Sequence, residues 1–568
     1  MQQPHIVVLQ VQPFYIAVFN MTTLIPKVDF KNGGATPAGA INRPINEKLQ
    51  DFVSVRDFGA TGDGVTNDTA ALQACFNYAA GVASVYIPAG TYMVDAVTIQ
   101  TGQTRGGLAV PSNSHIIMDV STVIKAIPNS SNSYNVLLIN NATNVIVENG
   151  TVQGDRATHT DTGVYGACCV AIWGSTNVFI NNVTAKDSYT DGFWILYNDA
   201  VAPYAESRNV HLINCTADNN YRNGASVIGC IGGSITGGRY INSNGTAPQD
   251  GIDVEPNANN GSGSPSTVSN FVVQSVHAYG NAKTGIEVYG AGTVEYVDLL
   301  ENFCYGNGAQ GIVYRNATNG SIDTNTVYSN TANGISAYSL TKTAINNNIV
   351  SSNVQSGIII QNPQNVTTQD LVIDGNVITA NATGVQITGL TNSIANVIVS
   401  NNDVFNNTGD GININYASNV RVDSNFVSTN GTAADNTFSN IITNNTTYTN
   451  ITNNTCRTGG GSNQVKYGIN IGASTVGSYV LNNDVFSSGK TSNLNIAAAD
   501  TVVYGPAQTS TAAAFEVVST TQGLRFPNMT TTQKNAISSP VAGLTIFDIS
   551  LSKLCVYSGS AWQTVTST

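Results

Sequence analysis

The sequence predicts an all-β chain wound as a parallel β-solenoid, with a capping helix ahead of it and a small module behind it. Three observations predict this. A Gly followed by alternating apolar residues recurs at Gly192, Gly224, Gly251, Gly285, Gly311, Gly334, Gly357, Gly384, Gly411 and Gly468. An Asn track runs between them with the same period, at Asn182, Asn214, Asn302, Asn325, Asn348, Asn376, Asn402, Asn425, Asn454 and Asn483. Charged residues make up only 10% of the 568, against about 25% in ordinary globular chains. Asn, Thr, Ser and 54 Gly carry the polarity instead, so turn and strand formers dominate and a helical bundle is excluded.

At the start of the chain, Ile6 to Asn20 is apolar but broken by Gln10, Gln12 and Pro13, and no basic segment precedes it. It reads as neither an export signal nor a membrane span, and a start at Met21 would leave it outside the fold. Residues 21–50 are polar and aperiodic, with Gly33-Gly34, Pro37 and Pro44, which suits an attachment arm. From Val53 a short strand leads to the turn Asp57 to Gly64, then to Asn67-Asp68-Thr69 as the N-cap of a helix running through Ala79. Asp63 and Asp68 are expected to serve turn and cap. Ser84 to Tyr92 follows as strand and turn, and the helix covers the open first coil.

Each repeat then holds two or three short strands joined by Asn- and Gly-rich turns. A lone repeat cannot bury its apolar face; stacking at about 4.8 Å places Ile over Ile and makes one continuous core. Asn side chains in the turns bond the backbone of their own coil and the amide of the next, a ladder that also accounts for triplets such as Asn141-Ala-Thr143. Past Tyr504 the repeat stops. Gly523 to Pro527, a helical Thr531 to Ile537, and a hairpin from Thr545 to Trp562 read as a separate module. The expected divisions are an arm over 1–50, the solenoid over 51–504 and the module over 505–568.

The formal charge of −12 disfavours a phosphate backbone as partner, so nucleic acid is not expected, and neither is membrane insertion. The eight Cys are scattered without a Cys-x-x-Cys pair and read as buried thiols rather than disulfides.

Phe52-Val-Ser-Val-Arg-Asp-Phe-Gly-Ala-Thr-Gly-Asp-Gly-Val-Thr-Asn-Asp-Thr-Ala-Ala-Leu-Gln73, with Val85-Tyr-Ile-Pro-Ala-Gly-Thr-Tyr92 after it, resembles the opening segment of the pectate lyase superfamily of right-handed parallel β-helices. Ala40 to Leu49 resembles the segment that joins the virion-binding arm to the β-helix in bacteriophage tailspikes and tail fibres. Gly523 to Trp562 is similar to a short C-terminal module of phage tail and marine bacterial surface proteins. The resemblance implies a homotrimeric virion spike that binds, and often cleaves or modifies, a bacterial surface polysaccharide, with other tail proteins as partners through the arm. Secreted hydrolases, lyases and epimerases share the same helix, so the fold alone does not choose the reaction.

Strand alternation sends the second residue after each Gly outward, giving the column Trp194, Ser226, Asp253, Glu287, Val313, Ser336, Ile359, Gln386 and Asn413. A second outward column carries Glu255, Tyr289 and Arg315, and the turns ahead of the strands carry Asp191, Arg222, Asp250 and Lys283. In a chain this poor in charge, acids gathered on successive coils point to acid/base work. Asp253, Glu255 and Glu287 are the catalytic candidates. Neighbouring coils would set Asp253 and Glu287 roughly 5 Å apart, the spacing of a retaining glycosidase. Pairs including Glu255 would lie roughly 7 Å apart, the spacing of an inverting one. Crowding is expected to raise at least one carboxyl pKa. Trp194, Tyr197, Tyr221 and Tyr289 could stack on sugars, and Arg222 or Arg315 could hold an acidic sugar. Asp191 and Asp250 complete the binding set.

A solvated surface cluster, a glycan-binding adhesin and a calcium site built from Asp250, Asp253 and Glu255 are the alternatives. β-Elimination would need a base such as His277, Lys283, Tyr289 or Arg315, though His277 lies on another strand track. The expected function is depolymerisation of a bacterial surface polysaccharide by glycoside hydrolysis on the virion tail, with no cofactor and no metal.

Overall fold

The computed structural model describes residues 51–160, 166–198, 204–259, 263–362, 367–390, 394–504 and 524–566, together with Lys48 and the short strands Lys27–Val28 and Arg43–Pro44, which pair antiparallel. Ile6 to Asn20, Gly33-Gly34, Pro37 and Gly523 lie outside the described residues.

Three parallel sheets wind around one core in a right-handed solenoid, the hand that parallel crossovers take. Sheet I runs from Asp63–Asn67 to Thr455–Arg457 and sheet II from Leu108–Ala109 to Ser492–Ile496, each of 15 strands. Sheet III runs from Phe52–Ser54 to Val502–Tyr504. Each strand pairs with its equivalent one coil on, so residues distant in sequence stack. Ile252, Ile286, Ile312, Ile335, Ile358, Val385 and Ile412 form one such column, all fully buried.

The shared period of the Gly and Asn tracks has a steric cause. A Cβ at Gly285 would stand 2.6 Å from the carbonyl oxygen of Gly311 and 2.9 Å from Asn307 Nδ2, so only Gly lets the next coil approach. Asn307 in turn donates to the oxygen of Ala278 and to Asn330 Oδ1, both at 3.0 Å. It belongs to a buried ladder through Asn281, Asn307, Asn330, Asn353, Asn381, Asn407 and Asn430. That ladder is additional to the expected one, which runs from Asn302 to Asn483. Asn182 and Asn214 are not rungs. They take left-handed backbone, φ 55° and 53°, and the rung positions after them are Val183 and Cys215, whose apolar side chains join the core.

The helix Thr69–Ala79 closes the first coil by burying Leu72, Cys75, Phe76 and Ala79. Asp68 stands at its N-cap, but the carboxylate turns back to accept from Thr61 N at 2.8 Å and Gly62 N at 3.1 Å, so it fastens the preceding turn rather than the helix. Asp63 accepts from Val65 N and Thr66 N at 2.8 and 2.7 Å, and these bonds hold its pKa down at about 2. All eight cysteines are free and buried.

The C-terminal residues form the short helix Thr531–Asn535 and a four-stranded sheet whose strands Thr545–Asp548, Lys553–Tyr557 and Trp562–Thr564 are antiparallel neighbours. A buried Lys534–Asp548 ion pair of 2.8 Å ties helix to sheet. Among the described residues no helix is long and apolar enough to cross a membrane.

Candidate active site

Sheet II aligns the outward column as its alternation demands: Trp194, Ser226, Asp253, Glu287, Val313, Ser336, Ile359, Gln386 and Asn413 pair in succession. Tyr289, Arg315 and Tyr338 align in the second column. Register therefore gathers the acids that the sequence spreads from Asp191 to Glu287.

Depth separates them into two layers. Asp191, Asp250 and Asp253 are each only 1% exposed although they point away from the core. Above them, Glu287 keeps 13% of its side chain exposed, Arg222 25% and Arg315 28%, and Glu255 is half-buried. Asp253 is thus not the surface carboxylate that strand alternation alone implies. Asn223 donates to Asp253 Oδ2 at 2.9 Å and to Ser226 Oγ at 3.0 Å, and Ser226 Oγ donates to Asp191 Oδ2 at 3.0 Å. Arg222 caps the lower layer through a 3.0 Å ion pair with Asp191. Arg315 bonds Glu287 at 2.5 Å and Tyr338 Oη at 2.8 Å, and lies over the Tyr289 ring at 3.7 Å.

Burial is the main force on the acids. It pushes Asp253 well above the usual carboxylate range, with the charge of Glu255 adding and Arg222 opposing. Burial likewise raises Asp250, reinforced by Asp253 and Glu287 and opposed by the Thr284 N–H. Asp250 Oδ1 accepts from Thr284 N at 2.7 Å, while its Oδ2 is buried without a donor. Glu255 is raised by burial and by Glu287, against the pull of Arg222 and Arg315. Three carboxyls are thus raised, by burial first and by their neighbouring acids second.

The aromatic candidates divide. Tyr289 lies under Arg315, and Trp194 is partly exposed beside the lower acids. Tyr197 is buried in an outward apolar cluster with Leu138, Ala171 and Ile228, its hydroxyl accepting from Asn257 at 3.1 Å. Its ring is closed to a sugar, because the residues around Leu138 to Ile228 form a second apolar layer on that side of the sheet. Tyr221 stacks on Tyr189 at 5.4 Å and carries the Arg156 guanidinium over its ring at 5.3 Å. His277 sits on sheet I, stacked on Phe303 at 4.7 Å, and Lys283 is exposed in a turn. Calcium finds no cage here: among the described residues no three His, Cys, Asp or Glu are arranged to hold a metal ion. Trp173 and Arg105 were not foreseen. They join Trp194, Asp191 and Arg222 around a pocket of about 530 Å³ beside the acids. Trp173 closes the unbroken apolar run Cys168–Trp173, buried on both faces; such a run is itself a sign that something covers the outer side.

Residues 52–308 match the family described as rhamnogalacturonase A/epimerase, pectate lyase-like, and residues 236–394 match the right-handed β-helix region. Residues 504–568 match the phage tail-like trimerisation region. The chain is a right-handed parallel β-helix whose residues 52–308 are similar to a pectate lyase-like family and whose residues 504–568 are similar to a phage tail-like trimerisation region. The uncharacterised protein YclG of Bacillus subtilis is 27% identical over 401 residues, covering 66% of this chain and 62% of its own length. The SPbeta prophage-derived protein YorA of the same organism is 30% identical over 193 residues, 31% of this chain and 33% of its own. The chain thus spans less than two thirds of either relative. Among solved structures, an N-terminal fragment of bacteriophage phi29 gene product 12 is 17% identical, covers 74% of this chain and 73% of its own, and aligns with a TM-score of 0.44.

Proposed function

We infer that the chain is the subunit of a homotrimeric phage tail spike or fibre that binds a bacterial surface polysaccharide and cleaves it by glycoside hydrolysis. The observation that carries the reading is the two-layer carboxyl cluster on successive coils, in which burial raises Asp250, Asp253 and Glu255. Glu255 is the general acid, because it combines a raised pKa with access to solvent. Glu287, ion-paired to Arg315, is the base that activates water. Their diagonal placement on adjacent coils puts them roughly 7–8 Å apart, which leaves room for that water and gives inversion of configuration. Asp253, in register with Glu287 and held by Asn223, lies beneath them as a buried positioning carboxyl, and Asp250 anchors the adjoining turn through the Thr284 N–H. The tail assignment rests on the trimerisation-region match and on the prophage origin of one relative.

Hydrolysis is favoured over β-elimination by what the arginines do. Arg222 is paired to Asp191 and Arg315 to Glu287, so neither is at liberty to neutralise a uronate, and His277 faces away on sheet I.

The test is incubation of the protein with capsule or O-antigen from a susceptible host. Release of saturated oligosaccharides, lost in Glu255→Gln and Glu287→Gln variants of unchanged oligomeric size, is the expected result. Binding without product makes the chain an adhesin, and an unsaturated, ultraviolet-absorbing product makes it a lyase.

A further inference from the structure

The pocket beside the acids has a wall whose hydrogen-bonding groups are unspent. The indole N–H groups of Trp173 and Trp194 and the hydroxyl of Thr190 all belong to residues lining it, and all three are buried without a partner. Trp173 is 1% and Thr190 2% exposed. Buried polar groups are nearly always satisfied, and an orphan calls for a reason. An indole N–H can only donate, so the missing partner is an acceptor. The acceptor on this side of the pocket is already used, since Asp191 takes bonds from Asn223 N and Ser226 Oγ and the ion pair from Arg222. The two indoles meet edge to face at 5.5 Å and 87°, giving an apolar wall with donors set into it, and the guanidinium of Arg105 stands over Trp173 at 5.4 Å.

We propose that this pocket is a recognition subsite for an N-acetylated amino sugar of the polysaccharide, its acetamido carbonyl accepting from the indole and Thr190 donors and its methyl group lying on the tryptophan wall. A sugar hydroxyl can accept from one indole, but it brings no methyl group for the tryptophan wall and its own donor meets no acceptor among the indoles. A uronate would bring its carboxylate toward Arg105 and Arg222, of which Arg222 is already paired to Asp191, and would leave the tryptophan wall without an apolar partner. The pocket is about 530 Å³, within the range of small-ligand sites. Trp194 stands two coils, about 9.6 Å, from Asp253 along one column, so the sugar held there belongs to the same chain as the bond being cut. The inference rests on the glycan reading but not on hydrolysis.

Trp173 and Trp194 are two of only three tryptophans, so binding is read directly from fluorescence in a full-length Trp562→Phe background. The probes are the methyl glycosides of N-acetylglucosamine and N-acetylgalactosamine, against methyl glucoside and methyl glucuronide. A saturable change with at least one acetamido glycoside, at least about 10-fold tighter than with either control, is expected; Thr190→Val and Trp173→Phe should each weaken it about 5-fold. Thr190→Val keeps the volume of the side chain and so guards against a folding artefact at Trp173. No saturable response to either acetamido glycoside up to about 50 mM, or an equal response to methyl glucoside, overturns the subsite. Retained binding in Glu255→Gln, with no turnover of polymer by the parent protein, sinks hydrolysis and leaves the subsite standing. Cleavage of a polymer without acetamido sugars, at a KM that Thr190→Val leaves unchanged, does the reverse.

Discussion

At the scale of the residue, function and stability pull Asp253 in opposite directions. Its carboxyl is 1% exposed and burial raises its pKa, so the folded chain holds a proton that the unfolded chain gives up. Folding is therefore favoured in acid, and stability falls as pH climbs from the ordinary carboxylate range through the raised value. Asp253→Asn keeps an oxygen to accept from Asn223 and removes the charge. It is expected to raise stability at neutral pH by about 1–3 kcal/mol, a gain that shrinks toward about pH 4, while turnover falls. Thermal melts across that range check it; a variant that melts lower at neutral pH would make Asp253 a structural ion partner instead. Glu255 is raised too, and as general acid it must keep its proton. The rate is expected to fall on the alkaline side as Glu255 ionises, and Glu255→Gln should cost about 10²–10⁴-fold in kcat and abolish that limb. A pH–rate profile in which the alkaline limb survives the substitution assigns the acid elsewhere.

At the scale of the element, stability resides in the rungs between coils. The Asn330 side chain accepts from Asn307 N and Nδ2 and donates to Cys304 O and Asn353 Oδ1, all within 2.9–3.1 Å. Asn330→Ala strands these partners in a buried turn and is expected to cost about 2–4 kcal/mol, read as a lower urea midpoint; a loss below about 0.5 kcal/mol would mean water replaces the rung. The sequence made this architecture legible because a solenoid repeats one decision. Once Gly251, Gly285 and Gly311 are aligned, the partners of Asp253 and Ile252 follow by parity, and sheet II agrees. Parity does not give depth. It puts Asp253 on the outward side without revealing that Arg222 and Asn223 cover it, since those groups come from the turn of another coil. The same limit hid Trp173, whose run has no alternation to read, and hid the second Asn ladder, most of whose rungs stand three or four residues before a repeat Gly and look in sequence like ordinary turn residues.

At the scale of the whole molecule, the site and the means of assembly lie on different segments, and that separation can be tested. Asp191, Arg222, Asp250, Asp253, Glu255, Glu287 and Arg315 all come from successive coils of one chain, so the proposed chemistry needs no second copy. The region that matches a trimerisation module begins only at residue 504. Its described part exposes Leu524, Val541, Ile549, Leu551 and Val565, apolar side chains that a partner could cover. A chain ending at Tyr504 is therefore expected to be a folded monomer by light scattering, with the thermal transition of the solenoid retained. Its turnover of short oligosaccharides should match that of the full chain per site. Its hold on intact polysaccharide should weaken by about 10²-fold or more, because three sites on one particle rebind a polymer that a single site releases. A truncated chain that remains trimeric would place the association surface on the solenoid itself. One that is monomeric but inactive on short substrates would mean that a neighbouring chain completes the site.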